Sequence, residues 1–293
     1  MRFIRYEENN QIHFGVLKTE AIIVPISKLI QSPIIDLQQI ILLTKEDLQD
    51  IEDKMNQWKG LTIAVDNVKV LTPIPNPKRN VFCLGKNYLE HAKELEGKTA
   101  NLSGVPKFPI YFTKTASPSI GPDETILLHE SITDGNVDYE VELAIIIGKE
   151  GVDIKAENAE DYIFGYTILN DVSARSLQTR HTQWFRGKCL DTHCPMGPVV
   201  VHKNEIEFPI QLELTSEING EVRQVGNTRD MIFDIPTIIS DLSRGTRLYP
   251  GDIIATGTPS GVGMGFDPPK YLKSGDVIEC KIEKIGILRN YVK

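Results

Sequence analysis

Cysteine is scarce, with Cys83, Cys189, Cys194 and Cys280 the only four in 293 residues. They give one C-x4-C pair, no partner pair at zinc-ribbon spacing and no C-x-x-C redox motif, so they read as reduced, mostly buried small hydrophobes. Long apolar runs are also missing. No window approaches the roughly 18 apolar residues of a membrane helix, and the opening MRFIRYEENN lacks the apolar stretch of a signal peptide. The expected compartment is the cytoplasm, with no membrane partner. Positive charge is short as well: 32 Lys+Arg stand against 40 Asp+Glu, a net charge of -8, without a dense basic run. Such a surface repels a phosphate backbone, so nucleic acid is excluded as an expected partner. Long repeats and low-complexity tracts are absent too.

What remains is an ordinary globular composition, 41% hydrophobic and 25% charged, long enough for one large domain or a small one joined to a larger one. Residues 1–72 read as a small N-terminal domain: short strands at the start, helical spacing from Asp36 to Trp58, then a strand pattern from Leu61 to Leu71. The run PIPNPKRN follows, and Pro73, Pro75 and Pro77 favour an extended connector. Residues 73–293 are dominated by short Val/Ile/Tyr/Thr runs between Gly, Pro and Asp turns, a β-rich texture. Two helices stand out, one at Asn87 to Glu96. The other runs from Asp234 to Arg244, with Asp234 as N-cap, Pro236 in the first turn and Gly245 as the stop.

The most informative stretch is DYEVELAIIIG, residues 138–148. Alternation puts Asp138, Glu140 and Glu142 on one face and Tyr139, Val141, Leu143, Ile145 and Ile147 on the other. The acidic face turns apolar at Ala144 and Ile146, as at the mouth of a covered sheet. Strand neighbours i and i+2 lie roughly 6.5–7 Å apart, so repulsion between partly buried carboxylates there either raises their pKa values or demands a cation between them, and a divalent metal is the economical solution. A solvated sheet edge is the alternative reading. Asp171, 29 residues after Glu142 at the end of an apolar strand, offers a third oxygen ligand. An all-carboxylate set favours Mg²⁺ or Mn²⁺ over Zn²⁺ and leaves positions for water or substrate.

Other groups are ambiguous by spacing alone. His91 and Glu94 share a helix face at i, i+3, as a dyad or as a surface pair would. Lys188 could be a solvated loop lysine, and Gln178 and Thr258 turn or cap residues. The glycines at 257, 261, 263 and 265 lack phosphate-loop spacing and read as a tight active-site loop. The remaining histidines form no close pair at metal spacing.

Six motifs, in order, resemble the fumarylacetoacetate hydrolase family over residues 80–292: FCLGKNYLEHAKE, DYEVELAIIIGK, GYTILNDVSARSLQ, GKCLDTHCPMGP, NGEVRQVGNTRDMIF and PGDIIATGTPSGVG. The resemblance implies an α+β, β-rich fold, a mixed β-roll catalytic domain with the small N-terminal α+β domain attached, and a homodimer. It implies Mg²⁺ or Mn²⁺ on Glu140, Glu142 and Asp171. His91 and Glu94 would be the catalytic dyad on a lid spanning 83–107, Lys188 the oxyanion stabiliser, and Gln178 and Thr258 the substrate-binding residues. A further upstream Asp ligand of the larger hydrolases is not found, which places the chain with the shorter acylpyruvase-like bacterial branch.

The implied substrate is a small-molecule 2-oxo acid. The expected reaction is hydrolysis of a carbon–carbon bond in a 2,4-dioxo acid, of acylpyruvate or fumarylacetoacetate type, by way of a pyruvate enolate at the metal. Alternatives are decarboxylation of oxaloacetate on the same site, or isomerisation of an unsaturated hydroxy diacid. A catalytically silent metal-binding relative would have lost a ligand or dyad residue, and none is lost.

Overall fold

The computed structural model describes every residue except 32, 35, 98–103 and 117. Its centre is the strand Val141–Ile147, whose seven residues are all buried. Both of its faces are covered, which is why VELAIII continues in apolar residues after one carboxylate. Leu143, Ile145 and Ile147 belong to a cluster with Leu214, Ile278, Cys280, Ile282 and Leu288. Ala144 and Ile146 face the other way, Ala144 toward Val81, Cys83 and Ile253, and Ile146 toward Phe3, Phe14 and the N-terminal helices.

This strand lies inside an eleven-stranded mixed sheet. On one side come Ile163–Asn170, Met196–His202, Arg2–Glu8, Gln11–Thr19, Ile22–Pro25 and Ile63–Ala64, with Lys69–Leu71 also paired to Arg2–Glu8; on the other come Ile253–Ala255, Val81–Gly85 and Ile110–Lys114. The strands before the proline-rich connector thus extend the sheet of the strands after it, through Phe3 opposite Val200. A five-stranded sheet of Glu221–Asn227, Glu213–Ile218, Val277–Ile282, Gly286–Val292 and Thr125–Ile126 packs against the first. The architecture is the β-rich α+β roll expected from the sequence.

Local chemistry modifies several expected elements. The stretch Asp36 to Trp58 is two helices, Leu37–Ile41 and Lys45–Asn56. Each starts from its own capping box: Asp36 accepts from the Gln39 N–H, and Thr44 accepts from the Asp47 N–H. Thr44 therefore begins a new helix where apolar spacing alone predicts continuation. The strand expected at Leu61 to Leu71 is two short strands around a 3₁₀ turn, Val65–Asn67. The helix expected at Asn87 to Glu96 is confined to Leu89–Glu94, whereas Ile235–Ser243 forms with Asp234 capping the Thr237 N–H as expected. All four cysteines are free and three are buried. No helix among the described residues is long and apolar enough to cross a membrane.

Ile145 is fully buried at the centre of this packing. Ile145→Ala should lower unfolding free energy by about 2–5 kcal/mol in denaturant melts, the range for such truncations; a loss under about 1 kcal/mol would show that the roll does not depend on this layer.

Candidate active site

The acidic strand is interrupted where the carboxylates gather. Val137–Asp138 pairs with Ser173–Ala174 in a separate two-stranded ribbon, and the ladder resumes only at Val141. Between them the Glu140 N–H donates to the Asn170 side-chain oxygen (3.0 Å), and the Asp171 N–H donates to the Glu140 carbonyl (2.9 Å). Those bonds join the end of Ile163–Asn170 to the start of Val141–Ile147. Oxygens of Glu140, Glu142 and Asp171 consequently lie within 4.8 Å of one another, all three residues buried. Asp138, the third acid of the alternating pattern, departs from this group. It accepts from Arg175 Nε (2.8 Å) and from the Gly263 and Met264 N–H groups (2.6 and 2.9 Å).

Three cations surround the cluster. Lys188 Nζ donates to Glu140 Oε2 (2.6 Å) and Asp171 Oδ2 (2.7 Å) and lies 5.1 Å from the Phe112 ring centroid. Arg175 places one guanidinium nitrogen 2.7 Å from Glu140 Oε1. Lys114 Nζ is 3.0 Å from Asp171 Oδ1 but spends its hydrogens on the carbonyls of Val172, Lys188 and His193. Burial alone would raise the Glu140 carboxyl; Lys188 and Arg175 outweigh it and hold the group at about 2. Glu142 shows the opposite balance: burial, then Asp171 and Glu140, push it well above the usual range, against Lys188 and the Gly257 N–H at 2.8 Å. For Lys188, the two carboxylates outweigh burial and keep it an ammonium.

This donor set fits a hard divalent cation. Asp171 Oδ1 is buried and lacks a hydrogen-bond donor, and four acids (Asp138, Glu140, Glu142, Asp171) face three bases (Lys114, Arg175, Lys188). An oxygen-only triad suits an ion of that kind, whose charge would also favour the ionised form of Glu142.

Over the cluster, Asn87 fastens the start of the short helix by bonding the backbone of Phe233 and the Thr256 carbonyl. The helix places buried His91 with Nδ1 3.1 Å from Glu94 Oε2, and Glu94 Oε1 accepts from the Gly261 N–H at 2.8 Å. With Nδ1–H on the carboxylate, the other ring nitrogen is the basic one. Residues 98–103 of the proposed lid lie outside the described residues. His91, Glu140, Glu142, Gln178, Lys188 and Thr258 all line one small cleft.

The six aligned side chains do not offer equal chemistry. Gln178 has its amide oxygen on Arg175 (3.0 Å), which leaves the NH₂ for a ligand. The Thr258 hydroxyl donates to the Val141 carbonyl (2.9 Å) and accepts from Gln224 (2.7 Å), so its proton is committed to the fold. His181 is exposed and His129 lies against His193, and neither lines this cleft. Sequence reasoning missed Arg175 and Lys114. Arg175 lies inside a recognised motif, three residues before Gln178, and Lys114 ends the apolar run IYFT; a lone basic residue at each place was the available signal.

A β-roll with three carboxylates, a lysine and a His–Glu pair converging on one cleft defines a metal-site protein of enzyme type. Residues 80–293 match the family model described as fumarylacetoacetate (FAA) hydrolase C-terminal. The chain belongs to the fumarylacetoacetate hydrolase family. It is 51% identical over 229 residues to the oxaloacetate tautomerase YisK of Bacillus subtilis, spanning 78% of this chain and 74% of that protein. A fumarylacetoacetate hydrolase from psychrophilic Exiguobacterium antarcticum superposes with a TM-score of 0.84 at 40% identity, covering 100% of this chain and 99% of that one. A maleylpyruvate hydrolase from Sphingobium sp. SYK-6, solved with manganese(II) and pyruvate, gives 0.79 at 29% identity, covering 100% and 98%.

His193, nearby, sets an acid limit on stability. Burial, then Lys114, lowers it to about 3, and its Nε2 bonds the Leu127 carbonyl (2.9 Å). It is neutral in the fold, whereas the unfolded chain protonates it near pH 6.5. Its contribution is complete above that pH and lost as pH falls toward 3. Wild type should therefore lose stability relative to His193→Asn by about 1.4 kcal/mol per pH unit between pH 6 and 4. Denaturant melts at pH 7, 5.5 and 4.5 read this, and a pH-independent gap would contradict a neutral His193.

Proposed function

We propose that the chain is a metal-dependent enzyme that moves a proton at the carbon beside the carbonyl of a small 2-oxo acid, with oxaloacetate as the favoured substrate. The observation that carries this reading is that Glu140 and Glu142, gathered with Asp171, line the same small cleft as His91. Glu140, Glu142 and Asp171 would hold Mg²⁺ or Mn²⁺. Such an ion supplies Lewis-acid polarisation of the carbonyl and a template for a chelating 2-oxo acid.

His91 takes the proton, with Glu94 orienting the ring and stabilising its charge. The Lys188 ammonium faces the negative charge that develops on the carbonyl oxygen as the proton leaves. Gln178 donates its amide hydrogens to the substrate's carboxylate or carbonyl oxygen, and Thr258 shapes the wall through its fixed side chain. Arg175 keeps Glu140 ionised and in place. The small cleft, with Arg175 and Lys188 in its lining, suits a compact diacid once a cation offsets the carboxylates, and the 51% identity to an oxaloacetate tautomerase supports that choice.

A second reading is hydrolysis of a 2,4-dioxo acid such as an acylpyruvate. The same dyad would deprotonate a water that attacks the distal carbonyl, and the likeness to the maleylpyruvate hydrolase favours it. Decarboxylation of oxaloacetate would need the same anchoring without a water nucleophile. A cytoplasmic homodimer is the setting we infer for either chemistry.

A panel of oxaloacetate, acetylpyruvate, fumarylacetoacetate and maleylpyruvate with each metal separates these readings, by decay of enol absorbance, CO₂ and pyruvate release. Enol–keto exchange of oxaloacetate without CO₂ or pyruvate release is the expected leading activity. His91→Ala should lower that kcat by about 10²-fold or more. Glu140→Ala should abolish thermal stabilisation by Mn²⁺. An undiminished kcat in the first variant, or an unchanged metal response in the second, would sink the assignment.

A further inference from the structure

The reaction above makes no use of Asp138 or of the glycine series that follows Thr256. Between 257 and 265 the backbone donates in succession to three separate carboxylates. Gly257 N–H reaches Glu142 Oε2 at 2.8 Å, Gly261 N–H reaches Glu94 Oε1 at 2.8 Å, and the Gly263 and Met264 N–H groups reach the two oxygens of Asp138 at 2.6 and 2.9 Å. A Cβ at residue 263 would stand 2.7 Å from Asp138 Oδ1, and one at 265 would overlap the Glu94 carboxyl. The Lys270 carbonyl, 2.4 Å from that Cβ at 263, and the two acids together favour glycine here, a reason unrelated to phosphate binding.

Asp138 sits where these contacts meet the cation cluster. It is fully buried, and its Oδ2 accepts both the Met264 N–H and Arg175 Nε, while Arg175 in turn contacts Glu140 and Gln178. One carboxylate therefore fixes the cluster through Arg175 and fixes the dyad through the 261–265 segment. Tyr139, next in sequence, fixes only the second: its hydroxyl donates to the Gly261 carbonyl at 3.1 Å.

We propose that Asp138 is a positioning residue, touching neither substrate nor metal, that holds the carboxylate cluster and the His91–Glu94 pair at their working separation through Arg175 and the 261–265 segment. This rests on the functional reading above for its effect on turnover. Asn at 138 keeps the volume but removes the charge that pairs with Arg175 and turns one acceptor into a donor facing either Met264 N–H and Arg175 Nε or Gly263 N–H, so both connections weaken.

The test uses full-length Asp138→Asn and Tyr139→Phe beside wild type. Three quantities are read: kcat at saturating Mn²⁺, the Mn²⁺ concentration giving half of the thermal stabilisation, and amide hydrogen exchange over residues 89–95. Asp138→Asn should lower kcat about tenfold or more with less than a threefold change in KM, raise the half-stabilising Mn²⁺ several-fold, and speed exchange in 89–95. Tyr139→Phe should speed exchange and lower kcat a few-fold while leaving the Mn²⁺ response at the wild-type value. Unchanged exchange in both variants, or an Asp138→Asn protein whose Mn²⁺ response and kcat match wild type, overturns the proposal. If Asp138→Asn does not fold, the Tyr139→Phe result decides: unchanged exchange overturns it. The exchange and metal readouts need no substrate. A wild type inactive on every 2-oxo acid would therefore refute the functional reading while these two still judge Asp138.

Discussion

Mutual repulsion among buried carboxylates is the constraint around which this molecule is arranged. Glu140, Glu142 and Asp171 have oxygens within 4.8 Å in a place without bulk water, where like charges interact far more strongly than in solvent. Lys188 bridges two of them, Arg175 meets Glu140, and the Gly257 N–H supports Glu142. Each helper is itself buried and needs its own partner, so the chain of compensation extends outward to Asp138 and the glycine segment.

The sheet supplies the rigidity this requires. Pairing of Val141–Ile147 with Ile163–Asn170 sets Val141 opposite Asn170 and Glu142 opposite Leu169, which brings Asp171 to the two glutamates without any loop search. On the other side, Ile253–Ala255 runs antiparallel to the central strand and parallel to Val81–Gly85. That parallel pair delivers the segment after 256 and the helix that carries His91 to the same end of the sheet. Two connections distant in sequence thereby reach one cleft.

The sequence made much of this readable because the burial pattern and the chemistry coincide. Glu140, Glu142 and Asp171 were visible as acids interrupting apolar strands, and the structure gathers them. Asp138 was grouped with them because period-two alternation assumes an unbroken strand; the actual break at 139–140 exists because Glu140 bonds the Asn170 side chain, a tertiary contact no local pattern contains. Arg175 and Lys114 were hidden for a related reason. A cation's worth depends on acids more than 30 residues away, such as Asp138 and Asp171. Thr44 was legible in principle, since the sequence T-x-x-D is a capping signal, but the apolar spacing on both sides of it spoke more loudly. Thr258 illustrates the reverse limit: its place in the cleft followed from the motif, and the commitment of its hydroxyl to Val141 did not.

The helix Leu89–Glu94 is only six residues long. Isolated helices of that length do not persist in water, so its shape is borrowed from Asn87, from Gly261 and from whatever occupies the cleft. The strand bearing the glutamates draws its order from a ladder on each side, while the segment bearing the histidine draws its order from side-chain contacts with the rest of the roll.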